Sequence, residues 1–191
     1  MAQPRIEISR VNLPSPFARK LIQVKNPNHL KHNNIVLALD PGYTTGIAVI
    51  HGDRLIMYGQ MNTRKLDLLT YKDIERILDE YLSLWDINTD IHTMCKFEMV
   101  VEDYRIYSWK SEEHEWSDVY VARLIGFIQA MCVQRSIEFR LRLAQQAKGF
   151  VTDEKLKKMG WYQRGLPHAR DAIRHALYHT LFDNKYIGKD K

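Results

Sequence analysis

The stretch Ile35–Ile50, IVLALDPGYTTGIAVI, decides the fold. It runs from Ile35 to Leu39 without a polar break, sets Asp40 at the end of that run, and turns at once through Pro41-Gly42. An unbroken apolar run of strand length predicts a central strand covered on both faces. Pro41 lacks an amide donor and Gly42 accepts turn geometry, so the strand stops there, and Gly42 with Gly46 permits a tight return into Ile47–Ile50. A carboxylate at the end of such a strand is left at the rim of the sheet, where open α/β folds gather their ligands.

Working outward, Ile47–Ile50 and Leu55–Met61 flank His51-Gly52-Asp53 and predict a hairpin that extends an antiparallel meander. Ile74, Ile77, Leu78, Tyr81, Leu82 and Trp85 stand at helical spacing and predict a helix over about Leu69–Trp85. A fourth strand, Phe97–Val101, ends in a second acid, Glu102. Asp118–Gln134 reads as a well-buried helix with Val121, Leu124, Ile125, Ile128 and Met131 on one stripe, and Glu138–Leu143 alternates as a short strand. Small helices over Gln145–Phe150 and Asp153–Met159 follow, and Pro167 opens a last helix through Phe182. Three strands, a helix, then strands alternating with helices make an α/β fold, a mixed five-stranded sheet flanked by helices. Residues 1–34 carry Pro4, Pro14, Pro16 and Pro27 with no sustained period, and predict an irregular N-terminal arm outside a single domain over 35–191.

The chain has 191 residues, 45% of them hydrophobic, enough for one sizeable core. Its longest apolar candidate, Val119–Val133, is interrupted by Arg123 and Gln129 and falls short of a membrane span. The opening MAQPRIEISR has no apolar signal core, and Cys95 and Cys132 lack metal or disulfide spacing, so a cytoplasmic location is expected. Charge is segregated. Residues 1–34 hold six Lys/Arg against one acid, 35–130 hold nine against sixteen, and 131–191 hold thirteen against six. Basic ends around an acidic middle suit a carboxylate metal centre that works on a polyanion, and equally suit a solvated surface with uneven charge.

A third acid comes from the last helix. In LPHARDAIRHALYH the apolar face is Ala169, Ala172, Ile173, Ala176, Leu177 and Leu181, while His168, Asp171, His175 and His179 share an adjoining stripe. If the helix packs its apolar face on the sheet, His168 and Asp171 reach the crevice that holds Asp40 and Glu102. Crowded carboxylates repel and raise one another's pKa unless a divalent cation neutralises them, and hard oxygen donors select Mg²⁺ or Mn²⁺. Each residue alone has a plainer account: Asp40 favours a Pro-Gly turn, Glu102 an exposed strand end, Asp171 the positive end of a helix dipole, and the histidines, His179 above all, a wet surface. Their joint placement at element ends favours the site.

These blocks also resemble a known family. LALDPGYTTGIAVI, MVVEDY and HARDAIRHAL are similar, in order and spacing, to the motifs of the RuvC family of Holliday junction resolvases in the RNase H-like superfamily; YVARLIGFIQAMC and FRLRLAQQAKGFVT resemble the family's long helix and the strand and Gln/Lys segment after it. The likeness spans about Ile35–Phe182 and looks most like phage-encoded members. It implies an RNase H-like fold, metal ligation and catalysis by Asp40, Glu102, His168 and Asp171, and a basic DNA contact at Lys148. It also implies two Mg²⁺ ions per site, with Mn²⁺ able to substitute, no small-molecule cofactor, and hydrolysis of a phosphodiester to a 5′-phosphate. A homodimer that resolves branched DNA, with no part for a membrane, completes the expectation. The arm has no counterpart in that family.

Phosphate contacts are expected from Arg140, Arg142, Lys148, Lys155, Lys157, Lys158, Arg164, Arg170 and Arg174. The aromatics of YRIYSWKSEEHEW, namely Tyr104, Tyr107 and Trp109, lie where the family carries the residue that props a junction open, and can stack on unpaired bases. Two other readings compete. One is a module of this fold that binds branched DNA without cutting it. The other takes DPGYTTG as the phosphate loop of an actin-like phosphotransferase, for whose second loop and nucleotide lobe the length leaves no room.

Overall fold

Strand β1 (Ile35–Asp40) is buried along its whole length, as its unbroken apolar run requires. The computed structural model describes residues 34–64, 68–88, 96–104 and 116–182, so the predicted arm and the predicted stacking residues Tyr107 and Trp109 lie outside the described residues. β2 (Thr44–His51) and β3 (Arg54–Asn62) follow β1 as an antiparallel meander. Helix α1 (Leu68–Asn88) crosses to β4 (Phe97–Asp103), and α2 (Trp116–Gln134) crosses to β5 (Glu138–Leu143). The short helices α3 (Ala144–Phe150) and α4 (Asp153–Met159) lead to α5 (Pro167–Phe182). The sheet order is β3-β2-β1-β4-β5, with β1, β4 and β5 parallel.

The two faces of the sheet are packed differently. Ile35, Leu37 and Leu39 point to one side, where Met99, Val101, Ile47 and Val49 join Ile74, Ile77 and Leu78 of α1 and Leu124, Ile128 and Met131 of α2. The alternate residues Val36 and Ala38, with Ala48 and Val100, face α5 through Ala169, Ala172, Ile173 and Ala176. Strand side chains alternate with period two, so Asp40, Glu98 and Glu102 fall on the α5 face. Alanine meets alanine there, and α5 lies close to the sheet. It lies closest at Gly46, where an added Cβ would overlap the His168 carbonyl and come within 2.8 Å of the Ala169 nitrogen.

Several expectations need correction. Gly46 is no turn residue: it lies inside β2, opposite Asp40, and its missing side chain makes room for the start of α5. The loop over residues 41–43 is instead closed by hydroxyls, Thr45 Oγ1 and Thr63 Oγ1 lying 2.8 Å apart, with the Thr63 amide donating to the Tyr43 carbonyl at 2.9 Å. Helix α2 is not buried all round, because Val119 and Val133 are 52% and 73% exposed. His175 and His179, read as surface residues, are fully buried. In the predicted stripe of α1, Ile74, Ile77 and Leu78 are buried, whereas the side chains of Tyr81 and Trp85 lie outside the described residues. No helix among the described residues is long and apolar enough to cross a membrane.

Candidate active site

Parallel pairing of β1 with β4 runs to Leu39 opposite Val101, so the next residues, Asp40 and Glu102, emerge level with each other at the strand ends. Asp171 reaches them from α5. This helix starts at Pro167 and has no acid in its first turn, so Asp171 stands in the second turn, away from the free amides that a dipole-complementing acid would serve. One carboxylate oxygen from each of Asp40, Glu102 and Asp171 lies within 4.8 Å of the other two. No other such grouping of His, Cys, Asp or Glu occurs among the described residues.

His168 adjoins this group through Asp40: its Nδ1 lies 2.9 Å from Asp40 Oδ2. Burial pushes the Asp40 carboxyl above its ordinary pKa; the His168 hydrogen bond opposes that rise, while Glu102 and Asp171 add to it. The same hydrogen bond, with the charge of Asp40, raises the pKa of His168. Lys148 Nζ sits 3.0 Å from Asp171 Oδ2 and 3.8 Å from Glu102 Oε2. Burial pulls the Lys148 ammonium toward neutrality, but its bond to Asp171 and the charges of Glu102, Asp171 and Asp40 outweigh that and hold it protonated to higher pH. Arg174 pairs with Asp171 and Asp153 and donates from Nε to the Val151 carbonyl at 3.0 Å.

The donor set fits a divalent cation. Three hard carboxylate oxygens, half-buried to buried, converge on one space, and two cationic side chains, Lys148 and Arg174, already lean on them. Hard oxygen donors of this kind suit a hard divalent cation rather than a thiophilic one.

Most of the other predicted contacts have partners of their own. Arg142 is paired in register with Glu102 and shares its face of the sheet; Arg140, two residues back, pairs with Glu138. Arg170 Nη1 donates to the Gln163 carbonyl at 3.1 Å and to the Tyr162 hydroxyl at 3.3 Å. Lys155 lies over the Phe150 ring at 3.8 Å and Lys157 over Tyr162 at 5.0 Å, while Lys158 and Arg164 are exposed. Tyr104, partly buried, follows β4 directly.

Sequence reasoning missed the buried partners beneath the acids. His175 Nε2 is 2.7 Å from Glu102 Oε2, and His179 Nε2 is 3.2 Å from Glu98 Oε2. The signal was present: Glu98 breaks the apolar β4 run four residues before Glu102, and His175 precedes His179 by the same interval.

The sheet order, the crossovers and the acid-bearing strand ends define an RNase H-like α/β fold. Among solved structures, RuvC of T. thermophilus, determined in complex with a Holliday junction substrate, matches with a TM-score of 0.56 and 17% identity over 80% of this chain and 96% of that one. At that identity the likeness establishes the fold. The PPX-GPPA enzyme of Aquifex aeolicus matches at a TM-score of 0.33 and 13% identity, over 59% of this chain and 37% of that one. No protein-family model matches the chain, and no curated protein matches its sequence.

Proposed function

We propose that this protein is a metal-dependent DNA endonuclease that resolves Holliday junctions or related branched DNA. The observation that carries the reading is the convergence of Asp40, Glu102 and Asp171 within 4.8 Å at the strand ends of a RuvC-like fold. In this reading Asp40, Glu102 and Asp171 hold Mg²⁺, two ions per site, and the bound metal supplies an acidified water and charge stabilisation at the leaving 3′ oxygen. Asp40, which both other acids adjoin, would hold the metal together with them. His168 has Nδ1 committed to Asp40 Oδ2, which leaves Nε2 to take or return a proton at the rim of the site. Lys148, 3.0 Å from Asp171 Oδ2 and 3.8 Å from Glu102 Oε2, would be at hand for a phosphate oxygen of DNA that entered the site.

Arg142, Lys155, Lys158 and Arg170, with Arg140 and Arg174 more tightly engaged by protein acids, form the basic surround that tracks the backbone. Tyr104, Tyr107 and Trp109 follow the ligand-bearing strand and serve an unpaired base at the branch. Symmetric cutting needs a second copy across a two-fold axis. The outer face of α2, with Val119, Ala122, Gly126, Ala130 and Val133 exposed on one side of the helix, supports a homodimer built there.

The test is nicking of a mobile four-way junction beside a fork, a flap and linear duplex, in Mg²⁺ and in chelator. Asp40→Asn and Asp171→Asn each keep the shape of the site and remove a ligand charge. They are expected to lower cleavage by at least ~10³-fold, the scale of several kcal/mol of transition-state stabilisation, while binding to the junction persists. Junction binding without cleavage by the unaltered protein would instead identify a non-cutting module of the same fold, and retained cleavage by either variant would refute the ligand assignment.

A further inference from the structure

Two histidines of α5 are spent on the protein interior in a way that its apolar face does not require. His175 and His179 are both fully buried, one turn apart, and each faces a glutamate of β4. Glu98 and Glu102 are four residues apart on one face of that strand, and the helix meets them in reverse order, so His175 with Glu102 and His179 with Glu98 make two successive rungs. Both rungs set an imidazole against a carboxylate, the first as a 2.7 Å hydrogen bond and the second as a looser 3.2 Å contact, and they differ in what lies beyond them. Glu98 ends inside the protein, 4% exposed, whereas Glu102 continues into the space shared with Asp40 and Asp171.

We propose that His175 is a positioning residue for Glu102, fixing which oxygen that side chain offers to a divalent cation; this rests on the metal-dependent reading given above. Three observations support it. The contact is short, 2.7 Å, and takes Oε2, which leaves Oε1 as the free ligand atom. Nδ1 of the same ring is buried with no hydrogen-bond partner among the described residues, so the proton belongs on Nε2, where the carboxylate receives it, and not on a nitrogen with nothing to donate to. Finally, His175 lies one helical turn after Asp171, so a single rigid helix holds one acid directly and orients another through its neighbour. A glutamate has three rotatable bonds between its backbone and its oxygens. Hydrogen bonds from behind are what hold such a ligand in one orientation, and their removal commonly weakens metal binding by ~10–100-fold.

The experiment uses Mn²⁺ as probe, titrated into the full chain without DNA and followed by calorimetry and by loss of the free-ion spin-resonance signal. His175→Gln keeps an N–H within reach of Glu102; His175→Asn is too short to reach it; His175→Leu removes the donor at similar volume. His179→Leu is the control, because it breaks the like-built rung that does not touch the site. Expected are Mn²⁺ affinities ~10–100-fold weaker in His175→Asn and His175→Leu, an affinity near that of the unaltered protein in His175→Gln, and a lowered melting temperature with unchanged Mn²⁺ affinity in His179→Leu. Thermal melts report folding, and the Gln and Asn pair decides the matter if the Leu variant does not fold. The proposal is overturned if His175→Asn binds Mn²⁺ as the unaltered protein does, if His175→Gln loses as much as His175→Asn, or if His179→Leu loses affinity equally. Failure of the underlying reading looks different: the unaltered protein itself takes up no Mn²⁺, and both conclusions fall together.

Discussion

Glu98 is a carboxylate in a place built for a leucine: the second residue of β4, on an inward face, between Phe97 and Met99. Burial pushes its pKa up, yet His179, whose Nε2 lies 3.2 Å from Glu98 Oε2, and the charges of Lys96 and Arg140 together bring it below its ordinary value of 4.5. The sign of the pH dependence follows. Below pH 4.5 the unfolded chain takes up a proton that folded Glu98 still refuses, so the unfolded state binds more protons and stability falls as the medium is acidified. The stability that Glu98 contributes is therefore present above pH 4.5 and disappears as pH drops through the lowered folded value. Glu98→Gln is expected to flatten this acid limb, so that melting temperatures of variant and unaltered protein approach one another on going from pH 6 to pH 3; parallel curves would remove the account. At this scale Asp40 and Glu102 were legible in the sequence because each ends an apolar run, which leaves a charge nowhere to be but at a rim, and Asp171 because it shares a stripe with His168 beside the apolar face of α5. Glu98, His175 and His179 were not, because a polar residue inside an apolar pattern can be explained by either face until the partner element is known. The helical stripe of His168, Asp171, His175 and His179 runs from the half-exposed rim to the fully buried floor of one interface, and spacing alone carries no depth.

The elements owe their approach to what is missing from them. Ala38 and Ala48 on the sheet and Ala169, Ala172 and Ala176 on α5 give the helix a shallow seat, and Gly46 lets its first turn touch β2. Gly46→Ala tests this seat directly. The new methyl would meet the His168 carbonyl and the Ala169 nitrogen, backbone atoms that cannot turn aside, so the start of α5 must lift from the strand that pairs with Asp40. Overpacking of this kind costs about 1–3 kcal/mol. The loss is expected to appear twice: as a lowered midpoint in urea, and as a drop in cleavage that persists at temperatures where the variant is fully folded, because His168 rides on the displaced first turn and Asp171 on the turn that continues it. Cleavage that tracks the folded fraction alone would show that the close contact serves packing only. Element identities were readable from period and punctuation: the all-apolar run of β1, the three-four spacing of α1, and Pro167 at the first position of α5 each state their own structure. The seating of α5 was not, because Gly46 reads locally as freedom to turn, while its use is the room it leaves for a residue more than a hundred positions away.

For the whole molecule the open question is what α2 does with its second face. Leu124, Ile128, Met131 and Cys132 are buried against the sheet, which fills one side of the helix. The other side carries Val119, Ala122, Gly126, Ala130 and Val133, all exposed, with Arg123 and Gln129 beside them, and Gly126 stands there although a Cβ would meet nothing within 4 Å among the described residues. Glycine in a helix interior costs about 1 kcal/mol relative to alanine, and no neighbour among the described residues requires it. A small-residue stripe flanked by valines fits the close approach of a second helix, and the same stripe on a second copy satisfies a two-fold axis. Gly126→Arg therefore has two expected effects of opposite sign. It is expected to raise the melting temperature of the isolated subunit, since arginine favours the helix and the space is open, by an amount on the order of 0.5–1 kcal/mol. It is also expected to halve the mass seen in sedimentation and to turn paired, symmetric incision of a four-way junction into uncoordinated single nicks, with the chemistry at Asp40, Glu102 and Asp171 intact. An unchanged mass with unchanged paired incision would move the interface elsewhere on the molecule. A fall in the melting temperature of the dissociated subunit would mean that Gly126 answers to packing inside it, because loss of a partner lowers only the stability of the assembled form.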